Sequence, residues 1–485
     1  MQPSRTKHPI TLATKLLYGF GSVAYGVKDQ GFNFLLLLYY NQVLHVPAKQ
    51  VGFAILIVLL IDACIDPLIG HWSDILRSAW GRRHPFMYAT AIPVSISYAL
   101  LWSPPSGLSS TALFYYLIGV ATVVRFLISL YEIPSSALAP ELTDQYHDRT
   151  SLLGFRFRFG WLGGLVMTYL AFFVLLTPDA THPLGLLNPA GYARYGWVAA
   201  ALMFVAIMVS AVGTHHHIPD LKAAPPKRAF DLARTRRDIV QTLSNRSLLV
   251  LLGGGIFAGM ANGLGQALTN DILTFFWGLS AVQIGLVFTS ALLSAVIALP
   301  IAALVSHRIG KKRAAMVLWV GALVVGPLPL LLRFAGWFPA NGTPLLLPLL
   351  WAFYVVSIAF TIGTATLLAS MVADVVEDGQ LTSGRRSEGL YFSVNSFIQK
   401  FNSGIGIFSA GFVLSWVGFP DNPQANPVSH GVMDNLVLIF IPVSTILFLA
   451  AIAFVGAYRI DRETHEANLE RLAAAGAVPV MRAAE

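Results

Sequence analysis

The chain has 485 residues, of which 55% are apolar and only 12% charged, with a formal net charge of +8 and a mean hydropathy of +0.65. Soluble globular chains carry about 25% charged residues, so this composition excludes a soluble enzyme, a disordered tail protein and a nucleic-acid binder, and implies a polytopic membrane protein. One cysteine, Cys64, excludes internal disulfides and multi-cysteine metal sites.

Long apolar runs predict twelve spans, at 13–44, 49–77, 85–104, 108–141, 151–177, 193–213, 246–277, 282–304, 313–334, 343–376, 387–417 and 433–458. They are too long for barrel strands and do not alternate. The polar start, Met1 to Ile10, lacks the form of a cleavable signal peptide. The longest polar interruption, 214–245, separates a half at 1–213 from a half at 246–458, and 459–485 forms a tail with amphipathic spacing. With both termini cytoplasmic, 24 Lys and Arg fall on the inner side and 3 on the outer side. That asymmetry predicts orientation, so the net positive charge needs no binding partner.

The first span carries Tyr25, Asp29 and Asn33 at four-residue spacing, with Lys28 beside them. The second carries Asp62 and Asp66, one turn apart on one helix face. Two such carboxylates repel unless a cation or a proton lies between them, and hard oxygen ligands suit Na+ or H+. The alternative is a pair of aspartates held by basic neighbours. Between the second and third spans, Gly70 to Arg83 forms a Gly-plus-basic loop, and Ser306 to Arg313 occupies the equivalent place in the second half. This predicts an internal repeat. On the fourth span Arg125, Ser129 and Glu132 share a face, and Pro134 is expected to loosen the helix. Arg156 and Arg158 lie on the fifth span, where Gly160-x₃-Gly164 reads as a packing motif. The adjacent His215, His216 and His217 cannot all face one metal ion.

On the seventh span, Gly255-x₃-Gly259-x₃-Gly263 reads as packing, and Asn262, Gln266 and Asn270 form a stripe compatible with interhelical hydrogen bonding. Asp271 follows, with no role assigned to it, to Arg125 or to Arg158. On the eleventh span Tyr391, Asn395 and Gln399 align, with Lys400 beside them. Ionisable groups at the bilayer centre cost about 2.5–3.5 kcal/mol each on insertion scales, so they must pair, snorkel or face a wet cavity. No nucleotide-binding loop, nucleophile elbow or metalloprotease signature is present.

Several motifs together resemble the glycoside-pentoside-hexuronide:cation symporters, a branch of the major facilitator superfamily. They are Lys-Leu-Leu-Tyr-Gly-Phe-Gly at 15–21, Lys28-Asp29, Asp62-x₃-Asp66-Pro67, Trp80 to Phe86, Glu132-Ile133-Pro134, Arg156, Met371 to Asp374, and Lys400. The resemblance covers nearly the whole chain and implies an all-α membrane protein of twelve helices in two six-helix halves. It implies cation-coupled sugar or glycoside symport by alternating access, without enzymatic activity or cofactor, by a bacterial inner-membrane protein expected to work as a monomer. Asp62, Asp66, Ser129 and Lys400 match the cation-site positions, with Asp62 and Asp66 as ligands if the ion is Na+. Asp29, Glu132 and Arg156 match sugar-binding positions, and Lys28, Tyr25 and Asn395 are candidate neighbours in that site. Ile65 stands where the family has an asparagine, leaving Na+ against H+ open. Ser136 and Ala365 stand where a relative has tryptophans around the sugar, although Tyr25, Phe155 or Trp161 offer a stacking face. The same branch contains lysophospholipid carriers, the main rival reading, which generally lack the acids at Asp29 and Glu132. An intramembrane enzyme using Asp62 and Asp66 as an acid pair is opposed by the six-plus-six layout.

Overall fold

The structure is a computed structural model, and it describes residues 10–143, 145–221, 246–383 and 388–458. Side chains at 146, 147, 150, 246–248, 372–383 and 388–400 are outside that description. Asn395, Lys400, the Asp374 motif, most of the central loop and the tail therefore lie outside the described residues, as do Tyr391 and Gln399.

Every regular element among the described residues is helical. In chain order the helices are α1 (Leu12–Phe20), α2 (Val23–Gln30), α3 (Ala48–Ile75), α4 (His84–Leu101), α5 (Ser110–Leu142), α6 (Tyr146–Leu170) and α7 (Pro189–His215). They continue as α8 (Arg246–Asp271), α9 (Ala281–Phe288), α10 (Ser290–Ile309), α11 (Lys311–Val325), α12 (Leu328–Phe334), α13 (Leu346–Ser383), α14 (Glu388–Trp416) and α15 (His430–Gly456). Among the described residues nine helices are long and apolar enough to cross a membrane. Of the other predicted spans, the third is the 18-residue α4, the eleventh is α14 with a described apolar stretch Phe401–Trp416, and the first is broken. Large apolar side chains such as Phe157, Val296, Trp416 and Ile446 are exposed. Such faces fit a lipid environment, where apolar exposure has no cost.

The contacts divide the chain into two compact units. One comprises Met1–Ala229, Gln266–Gly285 and Ile407–Met433; the other comprises Phe230–Gly265, Leu286–Gly406 and Asp434–Glu485. In the first unit α3 packs on α5, α4 on both α5 and α7, and α1 and α2 on α6. The first predicted span is two helices followed by π-helical turns at Gly31–Leu35 and Tyr39–Val43. Glycines allow close approach along this span. A Cβ on Gly21 would lie 2.0 Å from the Tyr131 hydroxyl, and one on Gly26 would lie 1.8 Å from the Gly160 carbonyl oxygen. The Gly160-x₃-Gly164 motif therefore packs, with Tyr25 over Gly160 and Gln30 over Gly164. Helix α5 runs through both Pro134 and Pro140 rather than stopping there, and the Ser136 hydroxyl donates to the Glu132 carbonyl at 2.7 Å.

In the second unit α10, α11 and α13 pack together around Ala302, Ala314, Ala315, Leu318 and Leu367. A second cluster joins Leu251, Leu252 and Ala258 of α8 to Trp319, Met371 and Val455. Gly259 lies against Asn402 and Gly263 against Gly406, so two of the three glycines in the α8 motif mediate close packing; Gly255 faces open space.

Candidate functional site

The acids of α3 meet α5. Asp62 is 2% exposed and both its oxygens are engaged. Arg125 Nη1 lies 3.1 Å from Oδ2, and the Ser129 hydroxyl donates to Oδ1 at 3.0 Å. Arg125 and Ser129 are one turn apart on α5, so their shared face delivers both donors to one carboxylate. The guanidinium also lies over the Phe32 ring, 4.7 Å from its centroid. Asp66, one turn along α3, is half-buried. The resemblance groups Ser129 with Asp62 in the cation site, whereas the sequence assigns Arg125, on the same stripe, no target. The i, i+4 spacing was the available signal, but nothing in α5 itself names the carboxylate it faces.

A second polar group forms between α1, α2, α5 and α6. Arg156 is 5% exposed. Its Nη1 donates to the Ser135 hydroxyl at 2.9 Å, and its guanidinium lies 5.4 Å from the Tyr18 ring centroid and 5.8 Å from that of Tyr25. Tyr18 donates to the Ser135 carbonyl at 2.8 Å and Tyr25 to the Arg156 carbonyl at 3.2 Å. Ser135 also donates to the Glu132 carbonyl at 3.2 Å, and Asp29 lies one turn beyond Tyr25 on α2. Four of the sequence-predicted substrate residues thus share one neighbourhood. Lys28 is buried and pairs with Asp29 at 2.7 Å, while the Asp29 side chain is 48% exposed. The group combines carboxylates, a guanidinium, hydroxyls and aromatic faces, a donor and acceptor set that suits a polyhydroxyl ligand. Tyr18 and Ser135 were not singled out in the sequence, because hydroxyl side chains on apolar helices carry no distinctive spacing.

Other predicted features have local partners. In the loop between α3 and α4, Arg83 pairs with Asp74 at 2.5 Å and with Glu141 at 2.8 Å, and Arg82 pairs with Glu141 at 2.9 Å. These basic residues therefore tie α3, α4 and α5 together as well as carrying the charge asymmetry. The three histidines have separate partners: His215 meets the Tyr88 hydroxyl at 3.0 Å, His217 meets Thr14 at 3.3 Å, and the His216 ring lies 4.1 Å from that of His217, tilted by 39°. Asp271 accepts a hydrogen bond from Gln42, Asn270 donates to the Phe34 carbonyl at 2.5 Å, and Asn41 donates to Asp421 at 2.7 Å. Asp271 and the end of the α8 stripe are thus interhelical contacts within the first unit. Arg158 is exposed and lies over Phe155.

Residues 17–462 match the family described as MFS/sugar transport protein. The chain is similar to a glucuronide carrier protein homolog of Escherichia coli, 27% identical over 86% of this chain and 88% of that one. It is also similar to the sodium-dependent lysophosphatidylcholine symporter 1 of Xenopus tropicalis, 22% identical over 96% of this chain and 90% of that one. Among solved structures, a D-xylose-proton symporter superposes with a TM-score of 0.59, covering 93% of this chain and 98% of that one at 15% identity. The fold is therefore that of the major facilitator superfamily, and the resemblance drawn from the motifs holds. This multi-pass membrane protein belongs to the MFS/sugar transport protein family.

Proposed function

We propose that the chain couples the uptake of a sugar or glycoside to a cation, Na+ or H+, by alternating access. The observation that carries this reading is the grouping of Arg156 with Tyr18, Tyr25 and Ser135, with Asp29 one turn from Tyr25 on α2 and Glu132 one turn from Ser135 on α5. In this reading Tyr25, Asp29, Glu132 and Arg156, with Lys28 and Asn395, bind the substrate, and the cation acts at the α3 carboxylates, Asp62 and Asp66, with Ser129 and Lys400 beside them. Residues 1–213 and 246–458 serve as the two six-helix halves, with 214–245 as the central loop, 459–485 as the tail, and both termini on the cytoplasmic side of a bacterial inner membrane. Neutralising the α3 carboxylates favours the state that loads sugar, and by linkage bound sugar raises affinity for the cation by the same factor. The names of the relatives support both a sugar cargo and cation coupling.

Similarity to a lysophosphatidylcholine symporter favours one rival, an amphiphile carrier. The charged, half-exposed Asp29 and Glu132 favour the sugar. Proteoliposomes containing the full chain are tested with glucuronides, pentosides and lysophosphatidylcholine under separately imposed Na+ and H+ gradients. Accumulation of a glycoside above its external concentration is expected with one of the two gradients. Gradient-driven movement of the lysolipid with no glycoside response defeats the proposal.

A further inference from the structure

We infer that Arg125 is a tethered cation which fills the Asp62 half of the α3 acid site, so that this chain does not bind Na+ there. The inference rests on the reading of α3 as the cation-coupling region and specifies which ion that region refuses. Both oxygens of Asp62 are committed within the protein, one to Arg125 at 3.1 Å and the other to Ser129 at 3.0 Å. Arg125, Asp62 and Ser129 are each 5% exposed or less, so bulk water screens their charges weakly.

A sodium ion needs several hard oxygen ligands at once. To use Asp62 it would have to sit beside a guanidinium already bonded to the same carboxylate. Like charges held this close in a weakly polar setting disfavour one another. The guanidinium cannot easily withdraw, because its face is packed on Phe32 and an unpaired guanidinium in the apolar layer is costly.

The test uses Na+ alone, so it does not depend on finding the sugar. The full chain in detergent is melted in NaCl and in choline chloride at equal ionic strength, beside Arg125→Gln purified in NaCl. The wild type is expected to melt at the same temperature in both salts. R125Q is expected to gain about 3 °C or more in NaCl, as ligand binding to the folded state alone requires. A Na+-dependent rise in the wild type overturns the inference, and so does an R125Q variant indifferent to Na+. If R125Q cannot be purified in either salt while the charge-balanced D62N/R125Q variant can, sodium does not replace the guanidinium and the inference fails. A Na+-silent wild type with a Na+-responsive R125Q supports it even if no sugar is found, whereas failure of the symport reading shows only in the uptake assay.

Discussion

Arg125 and Arg156 are buried to the same extent, 5% exposed each, yet the two regions hold their guanidinium groups in different ways. Arg125 is bonded to the Asp62 carboxylate and covered by the Phe32 ring. Arg156 donates to the neutral Ser135 hydroxyl and lies over Tyr18 and Tyr25. Direct bonding to a carboxylate consumes a positive charge inside the protein. A guanidinium held by hydroxyl and aromatic groups keeps much of its charge for a ligand, because those partners stabilise it without cancelling it. In the proposed symport, the Arg125 region would select the ion and the Arg156 region would meet the cargo.

The largest effect is expected at the carboxylate. Asp62→Asn leaves a buried guanidinium without its counter-charge. Breaking a buried pair from one side costs about 3–5 kcal/mol, so the melting temperature should fall steeply. Removing both charges in D62N/R125Q should recover most of the loss. Additive losses in this double-mutant cycle would mean that the pair is not a coupled unit and would erase the contrast with Arg156.

Arg156 tests the other side. Arg156→Gln removes a charge-assisted donor, worth about 1.5–3 kcal/mol, which corresponds to roughly 10- to 150-fold in affinity. The loss should appear in glycoside binding, measured by uptake or calorimetry, and the response of melting to Na+ should stay absent. Unchanged glycoside affinity would move Arg156 from the substrate region to a purely structural role.

Much of this arrangement is legible in the sequence because cost forces it. Charged groups within an apolar span stand out, and helical spacing groups Asp62 with Asp66 and Arg125 with Ser129 on their own helices. The long apolar helices follow from run lengths. What helical periodicity does not supply is the pairing between helices. Rotation of α5 against α3 decides that Arg125 meets Asp62, and that rotation is set by packing along the entire interface. The break in the first span is hidden for the same reason. Gly21 and Gly26 are ordinary in an apolar run, and only the structure shows their close approach to Tyr131 and Gly160. Pro134, expected to loosen its helix, lies within α5, which is continuous across it.

The smaller of the two stability effects concerns the aromatic cover on Arg125. Phe32 is 1% exposed, and its ring face lies 4.7 Å from the guanidinium carbon. Phe32→Leu keeps an apolar side chain of related size but removes the π face. A desolvated cation–π contact contributes about 2 kcal/mol, and an imperfect refill of the space adds to the loss. The variant should therefore lose about 2–3 kcal/mol, less than the about 3–5 kcal/mol expected for D62N. It should remain indifferent to Na+, because Arg125 still rests on Asp62. Most of the loss should vanish when the substitution is made in an R125Q background, since the ring then has no charge to hold. A loss in F32L equal to that in D62N would show that the ring, and not the carboxylate, fixes the guanidinium. Arg125 and Arg156 would then be two instances of one aromatic arrangement, and the charge of Arg125 would be as available to a ligand as that of Arg156.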